Sequence, residues 1–206
     1  EHIGFLRDYY AFTWGDALFV VINPYWHSKT PVDNVFGGSK KHRDLWDITL
    51  GDTQYKWLKK TLEESHAKYK FVFAHHTLGQ GRGGAKTAML YEWGGYEDTG
   101  KTKNTFAKNR PNWAKPIHQL MVDNHVSIFF QGHDHLYAKE DVDGVIYQEV
   151  PIPCDSTYNI GYLANADAYT GVILDGAGCM KVTVSEPEVK VDYIKSYLPQ
   201  DETDSL

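Results

Sequence analysis

Several features are scarce or missing in this sequence, and each absence excludes a class of protein. Only two cysteines occur among the 206 residues, Cys154 and Cys179, so one disulfide is open to the chain but a disulfide-rich scaffold is excluded. The sequence has no CxxC pair, no Cys/His cluster and no N-x-[ST] sequon. No apolar run approaches the length of a transmembrane helix, and no signal peptide is recognisable, so we expect no membrane partner.

Positive charge is also scarce. The formal net charge is −6 at pH 7, with ten histidines counted as neutral. Because an acidic chain repels a phosphate backbone, we expect no nucleic-acid partner. A small anionic substrate would need a local source of positive charge, such as a metal ion. Hydrophobic residues make up 42% of the chain and aromatic residues 14%, so we expect residues 1–206 to fold as a single domain.

Two apolar stretches end in pairs of histidines. Residues 71–76 read FVFAHH and deliver His75 and His76, while residues 126–135 read VSIFFQGHDH and deliver His133 and His135. Each stretch is typical of a buried strand. Imidazole suits Zn, Fe and Mn in mixed nitrogen and oxygen sites. An isolated HxH motif is more often a polar loop, but the second histidine-bearing strand end favours a metal site. Gly132 is expected to allow an unusual backbone angle or a close approach.

The remaining pattern predicts a mixed α/β chain. Gly15–Asp16 reads as a turn before a buried strand over residues 17–22. Asp52 is predicted to be the N-cap of a helix whose apolar stripe includes Leu58 and Leu62. A second helix is predicted to begin near Pro116.

Strand pairing can also be predicted. The order strand, excursion, helix, strand over residues 71–130 is typical of a crossover that joins two parallel strands. Alternating residues flank Asp143–Gly144, and again flank residues 185–188, so both segments predict hairpins.

The excursion over roughly residues 77–112 is long, polar and rich in glycine. Residues 79–84 spell G-x-G-x-x-G, but a dinucleotide site should turn directly from strand into helix, and here four residues intervene. A flexible glycine loop is the plainer interpretation. A third interpretation is that Arg82 or Lys86 binds a substrate phosphate when the loop closes.

Four stretches together resemble the calcineurin-like metallophosphoesterase superfamily, on the side of the purple-acid-phosphatase-like enzymes. They are residues 9–23, 50–64, 71–76 and 129–135, and the resemblance extends over nearly the whole chain. The last two resemble the C-terminal metal-binding motifs of the family, a strand-end histidine and then G-H-x-H. The resemblance implies a four-layer α/β/β/α sandwich with mixed sheets and a centre of two divalent or trivalent ions, such as Fe, Zn or Mn.

The resemblance also implies roles for individual residues. By position, His75 and His133 would bind one metal ion, His135 would bind the other, and His76 would contact the substrate as a catalytic residue. In such enzymes a metal-bound hydroxide attacks phosphorus in line, while both ions offset the developing charge. Ligand imidazoles must be neutral, so metal affinity should fall in acid. The resemblance further suggests a secreted or periplasmic protein.

The sequence differs from the family in its N-terminal motifs. G-D-x-x-D and G-N-H-[DE] do not occur, and the one D-x-H, at Asp123–Asn124–His125, lies at a predicted helix end. The chain therefore resembles the C-terminal half of the catalytic domain, with the N-terminal part absent. Its central sheet would then lack its first strands and expose an edge strand with unpaired backbone groups.

Two hypotheses follow. In the first, the chain is half of a binuclear metallophosphoesterase that hydrolyses phosphate esters only with an N-terminal half, which a second chain would supply; alone, this chain would be inactive. In the second, it is a non-catalytic fragment or remnant with a partial histidine site and a role in assembly. A companion polypeptide that carries the missing motifs, with two metal ions per complex, would favour the first.

Overall fold

The computed structural model describes residues 8–25, 27, 44–75, 85–160 and 169–202. Within these ranges the chain forms nine strands: β1 Tyr10–Trp14, β2 Ala17–Val21, β3 Tyr69–Phe73, β4 Ile128–Gln131, β5 Tyr137–Val142, β6 Val145–Glu149, β7 Val172–Leu174, β8 Gly178–Val184 and β9 Val189–Lys195. The α-helices of the same ranges are α1 Gly51–Glu64, α2 Tyr91–Gly94, α3 Phe106–Asn109 and α4 Ile117–Asp123. Short 3-10 turns lie at Leu45–Asp47, Ala85–Met89 and Pro199–Asp201.

Seven of the described strands form one mixed sheet in the order β1-β2-β3-β4-β6-β5-β7, while β8 and β9 form a separate hairpin. Strands β2, β3, β4 and β6 run parallel, and β1, β5 and β7 are antiparallel to their neighbours. The predicted parallel pairing of β3 with β4 is confirmed, as are the hairpins at Asp143–Gly144 and at residues 185–188. The carboxyl ends of the four parallel strands therefore meet at one edge of the sheet.

One face of the sheet packs against the helices. Val72 of β3 and Phe129 of β4 are fully buried there, in one cluster with Leu58 of α1 and Leu120 of α4. The predicted apolar stripe of α1 is therefore confirmed. This cluster is the main core of the chain, because burial of large apolar side chains supplies most of the stabilising free energy.

The opposite face is lined by aromatic rings. Phe12 stacks on Phe19 with ring centroids 4.9 Å apart, and Phe73 stacks on Phe130 at 5.0 Å. The β8–β9 hairpin covers part of this face through residues such as Val191. Phe12 nevertheless keeps 44% of its surface exposed, on the edge strand β1. Among the described residues, none forms a further strand beside β1.

The described part of the excursion is structured, whereas the glycine-rich residues 79–84 lie outside the described residues. Residues 85–112 contain a 3-10 turn and the short helices α2 and α3. Trp93 of α2 is 1% exposed, packs edge-on against Phe129 and donates its Nε1–H to the hydroxyl of Tyr147. This buried anchor ties the segment to the helix-covered face of the sheet.

The start of α1 also differs from the prediction. Leu50 is the N-cap residue and makes no side-chain cap bond, so Asp52 is not the cap. Asp52 instead accepts a hydrogen bond from Trp113 Nε1 at 2.7 Å. The Leu50 N–H donates to Glu92 Oε1 at 2.8 Å, so a carboxylate from the excursion binds at this end of the helix. The helix predicted to begin near Pro116 is α4, which starts at Ile117 with Pro116 as its N-cap, so that prediction is confirmed.

Two smaller findings complete the fold. Cys154 and Cys179 are exposed free thiols, so the disulfide that the sequence left open is not formed. No helix of the described ranges combines the length and apolar character needed to cross a membrane.

Candidate metal centre

The two histidine-bearing strand ends lie side by side. Strands β3 and β4 are parallel neighbours, and their pairing continues past both strand ends, because Ala74 N–H donates to Phe130 O at 3.1 Å. Gly132 N–H donates to the carbonyl of His75 at 3.0 Å. These two backbone bonds bring the turn that begins at Gly132 alongside His75.

The imidazoles of His75 and His133 face each other through their ring nitrogens. His133 Nδ1 lies 3.4 Å from His75 Nε2, and the two ring planes are nearly perpendicular, at 87°. Nitrogen ligands bind Zn²⁺ at about 2.0–2.1 Å, so two of them in a tetrahedral shell lie roughly 3.4 Å apart. The spacing therefore fits two ligands of one ion, and both are of a type that transition metals prefer.

His135, which follows Asp134 in the sequence, lines the same cleft as His75 and His133. Partial burial lowers the pKa of His75, and positive charge on His135 lowers it further. A lowered pKa keeps the His75 imidazole in the neutral form that binds metals. Asp155 lies close enough to His135 to interact with it electrostatically. Hydrogen bonds from Thr157 lower the pKa of Asp155, and His135 lowers it to a smaller degree.

The backbone of the G-H-D-H turn is left-handed at both histidines. His133 has a φ of +95° and His135 a φ of +55°, whereas Gly132 is not among the residues with positive φ. The unusual angle expected at Gly132 therefore falls on the ligand candidates themselves. Such conformations cost a residue with a side chain about 1–3 kcal/mol each, so surrounding contacts must hold the turn in place.

Asp134, between the two histidines, points into the protein and is 1% exposed. Its N–H donates to Glu149 Oε1 at 2.9 Å, and Tyr169 donates its hydroxyl hydrogen to Asp134 Oδ2 at 2.6 Å. Burial raises the pKa of Glu149 to about 8, despite the opposing effect of the Asp134 N–H. Sequence reasoning missed Glu149 and Tyr169. Glu149 had a signal, because it ends an alternating strand on the same side as the apolar Val145 and Tyr147.

A cleft of about 490 Å³ opens at this edge, with the three histidines on its polar side. The rest of its lining is mostly apolar and comes from the ends of β2, β3, β4 and β6: Val21, Ile22, Phe73, Ala74, Phe130, Gln131, Gly132, Val150, Pro151, Ile152 and Pro153. Open α/β sheets commonly bind ligands outside the carboxyl ends of their parallel strands.

The other predicted site residues are placed differently. Lys86 is exposed on the 3-10 turn Ala85–Met89 and is not among the described residues that line the cleft. His76 and Arg82 lie outside the described residues. In the described ranges, no three or more His, Cys, Asp or Glu side chains are grouped so that they could hold a metal ion. The structure thus places one ring nitrogen of His75 and one of His133 3.4 Å apart, while His135 lines the same cleft without completing a group of three ligands.

No protein-family model and no curated protein sequence matches the chain. Solved structures do match. PhoD has a TM-score of 0.50 at 13% identity, over 90% of this chain and 40% of that one. Purple acid phosphatase PPD1 from yellow lupin (Lupinus luteus) seeds has a TM-score of 0.48 at 14% identity, over 91% and 30%. GAP50, described as the anchor in the inner membrane complex of Plasmodium, has 0.44 at 11%, over 91% and 49%.

The chain spans less than half the length of each of these three proteins. At 13% identity, the similarity to PhoD concerns the fold alone. It agrees with a mixed α/β chain built on a mixed seven-stranded sheet.

Proposed function

We propose that this chain is the C-terminal half of a metallophosphoesterase domain that hydrolyses phosphate esters. The observation that carries the proposal is the approach of His133 Nδ1 to within 3.4 Å of His75 Nε2, at the carboxyl ends of two parallel strands. The resemblance of residues 71–76 and 129–135 to the metal-binding motifs of the metallophosphoesterase superfamily supports the same assignment.

In this proposal His75 and His133 hold one ion and His135 contributes to a second, with Zn, Fe or Mn as the candidates. When bound, such ions make a coordinated water more acidic and polarise a phosphoryl oxygen. The chain's own part is to present neutral imidazoles and a cleft whose apolar wall excludes water from the ester. Loss of neutral imidazole in acid would weaken metal binding.

The proposed partner is an N-terminal half that carries the three missing motifs, on the same or on a separate chain. Two features support it. The aromatic face of the sheet is only partly covered, and Phe12 and Trp14 on the edge strand are 44% and 78% exposed. The β8–β9 hairpin already lies on that face as a two-stranded layer. A further sheet beside this hairpin would complete the four-layer sandwich and protect the open edge.

The substrate contacts of the proposal come from the sequence. His76 would contact the ester, and Arg82 or Lys86 would bind its phosphate group, because closure of a loop onto a bound anion is a common way to complete a site. Export to the periplasm or the cell exterior, which the family resemblance suggests, belongs to the same proposal.

The test is the His133→Ala variant of the complete assembly, assayed on a generic aryl phosphate with metal supplied. We expect activity to be abolished, because one of the two facing nitrogens is removed. His125→Ala is the matched control, since His125 is exposed and also has a left-handed backbone, with a φ of +55°. Full activity in His133→Ala would refute the metal assignment. An assembly that is inactive without any substitution would favour the non-catalytic role.

A further inference from the structure

The buried carboxyl and hydroxyl groups behind the G-H-D-H turn are not used by the proposed chemistry. We propose that Glu149 and Tyr169 are positioning residues that clamp Asp134 and thereby set His133 and His135 before any ion binds. This inference rests on the proposed function, in which those histidines are metal ligands. It concerns a supporting layer that contacts neither the ester nor the ions.

Glu149 is anchored by the sheet on both sides. It ends β6, where its backbone pairs with Gln131 of β4 and with Ala138 of β5. Its side chain is 1% exposed, and its Oε1 accepts the Asp134 N–H at 2.9 Å. An ionisable side chain is rarely buried at this depth without a use, because burial costs several kcal/mol. Here the carboxyl fixes the backbone of the turn at its central residue.

Tyr169 hydrogen-bonds to the side chain of Asp134. Its hydroxyl donates to Asp134 Oδ2 at 2.6 Å, and its ring is 6% exposed in a cluster with Leu136 and Ala138. Asp134 is therefore held at its N–H by one buried group and at its carboxylate by another. Loss of either bond would leave a buried polar group of Asp134 without this partner, which is costly in the interior.

The two left-handed residues explain why a clamp is required. His133 and His135 flank Asp134 with φ values of +95° and +55°, a geometry that a free turn would relax. With Asp134 fixed inward, both neighbouring side chains are directed into the cleft, as its lining shows. Supporting shells of this type orient the ligands of metal sites, and their loss costs about 10–100-fold in metal affinity.

Substitutions of Glu149, Tyr169 and Tyr147 separate an effect on the geometry of the histidines from an effect on the stability of the fold. Glu149→Gln keeps an oxygen acceptor in the same place, whereas Glu149→Leu removes it. Tyr169→Phe removes only the hydroxyl. Tyr147→Phe is the matched control, because Tyr147 is a buried tyrosine whose hydroxyl accepts from Trp93 and contacts His118, and it does not line the cleft. It should weaken the fold without moving the histidines.

The experiment is a Co²⁺ titration of the metal-free complete assembly, this chain together with its N-terminal half, followed by visible absorption, with thermal melts of the metal-free proteins alongside. We expect Tyr169→Phe and Glu149→Leu to bind Co²⁺ about 10–100-fold more weakly and with an altered spectrum. Glu149→Gln and Tyr147→Phe should retain the wild-type spectrum and an affinity within about threefold.

The outcomes distinguish this inference from the function on which it rests. If wild-type protein binds Co²⁺ and His133→Ala does not, while Tyr169→Phe binds with unchanged affinity and spectrum, the positioning role is wrong and the metal assignment stands. If wild-type protein binds no better than His133→Ala, the metal assignment fails and the inference fails with it. Should Glu149→Leu not fold, Tyr169→Phe decides.

Discussion

Glu149 is a buried carboxyl group behind the cleft, and its place in the fold strongly perturbs its ionisation. Burial raises its pKa from 4.5 to about 8, the Asp134 N–H opposes the shift, and the negative charge of Asp134 adds to it. Between these two values the folded chain keeps a proton that the unfolded chain releases. The folded state therefore binds more protons than the unfolded state throughout this window.

This difference predicts a pH dependence of stability with a definite sign. The contribution of Glu149 to the free energy of unfolding should be fully present below about pH 4.5 and be lost as the pH rises to about 8, a change on the order of a few kcal/mol. Urea unfolding of wild-type protein and Glu149→Gln at several pH values measures it. The variant should show the shallower decline over the window, and identical declines would contradict a buried, protonated Glu149.

At the residue scale, the sequence predicts which side chains reach the cleft but not how the backbone presents them. An apolar run followed by histidine is enough to place His75 and His133 at strand ends. Asp134, between the left-handed His133 and His135, is hydrogen-bonded to Glu149 and Tyr169, which are 15 and 35 residues away from it. Contacts this distant leave no local pattern to read.

A buried ion pair lies within the excursion, and its carboxylate partner also binds the start of α1. Arg110 Nε donates to Glu92 Oε2 at 2.9 Å, while Glu92 Oε1 accepts the N–H of Leu50. The Arg110 guanidinium also lies over the rings of Trp46 and Trp113, at 5.2 and 5.4 Å from their centroids. Glu92 is thus a shared partner for a helix start and for the segment that follows α3.

Removal of Arg110 from the Arg110–Glu92 pair should leave an uncompensated buried charge. We expect Arg110→Ala to lower the free energy of unfolding by about 3–5 kcal/mol, because Glu92 stays buried without its cation. Lys103→Ala is the control, since Lys103 pairs with Glu97 at the surface, and its loss should change stability little. Urea unfolding curves measure both. Equal effects of the two substitutions would show that the buried pair contributes no more to stability than the surface pair does.

At the element scale, periodic segments were predictable and short ones were not. The 14-residue helix α1 and the two hairpins carry clear apolar patterns or a DG turn. Helices α2 and α3 have four residues each and no side-chain cap bond, so nothing local marks them. They form because Trp93 and Phe106 are buried in the core, and only the tertiary fold supplies that burial.

At the scale of the whole molecule, the described residues form a mixed seven-stranded sheet with one face well covered by them and one face only partly covered. The helix-covered face buries Leu58, Leu120 and Phe129 completely, whereas the aromatic face leaves Phe12 44% exposed at the edge strand. The chain also spans 40% of the length of PhoD, whose fold it shares. The exposure of Phe12 at the edge strand supports the proposal that a further sheet layer packs on this face.

The most direct test of the central claim is an anomalous diffraction measurement on crystals of the complete protein, with its N-terminal half, grown with Mn or Zn. We expect two anomalous peaks in the cleft. One should lie within about 2.0–2.2 Å of both His75 Nε2 and His133 Nδ1, and the other beside His135. A cleft without a peak at the His75–His133 pair, in crystals that contain the metal, would contradict it.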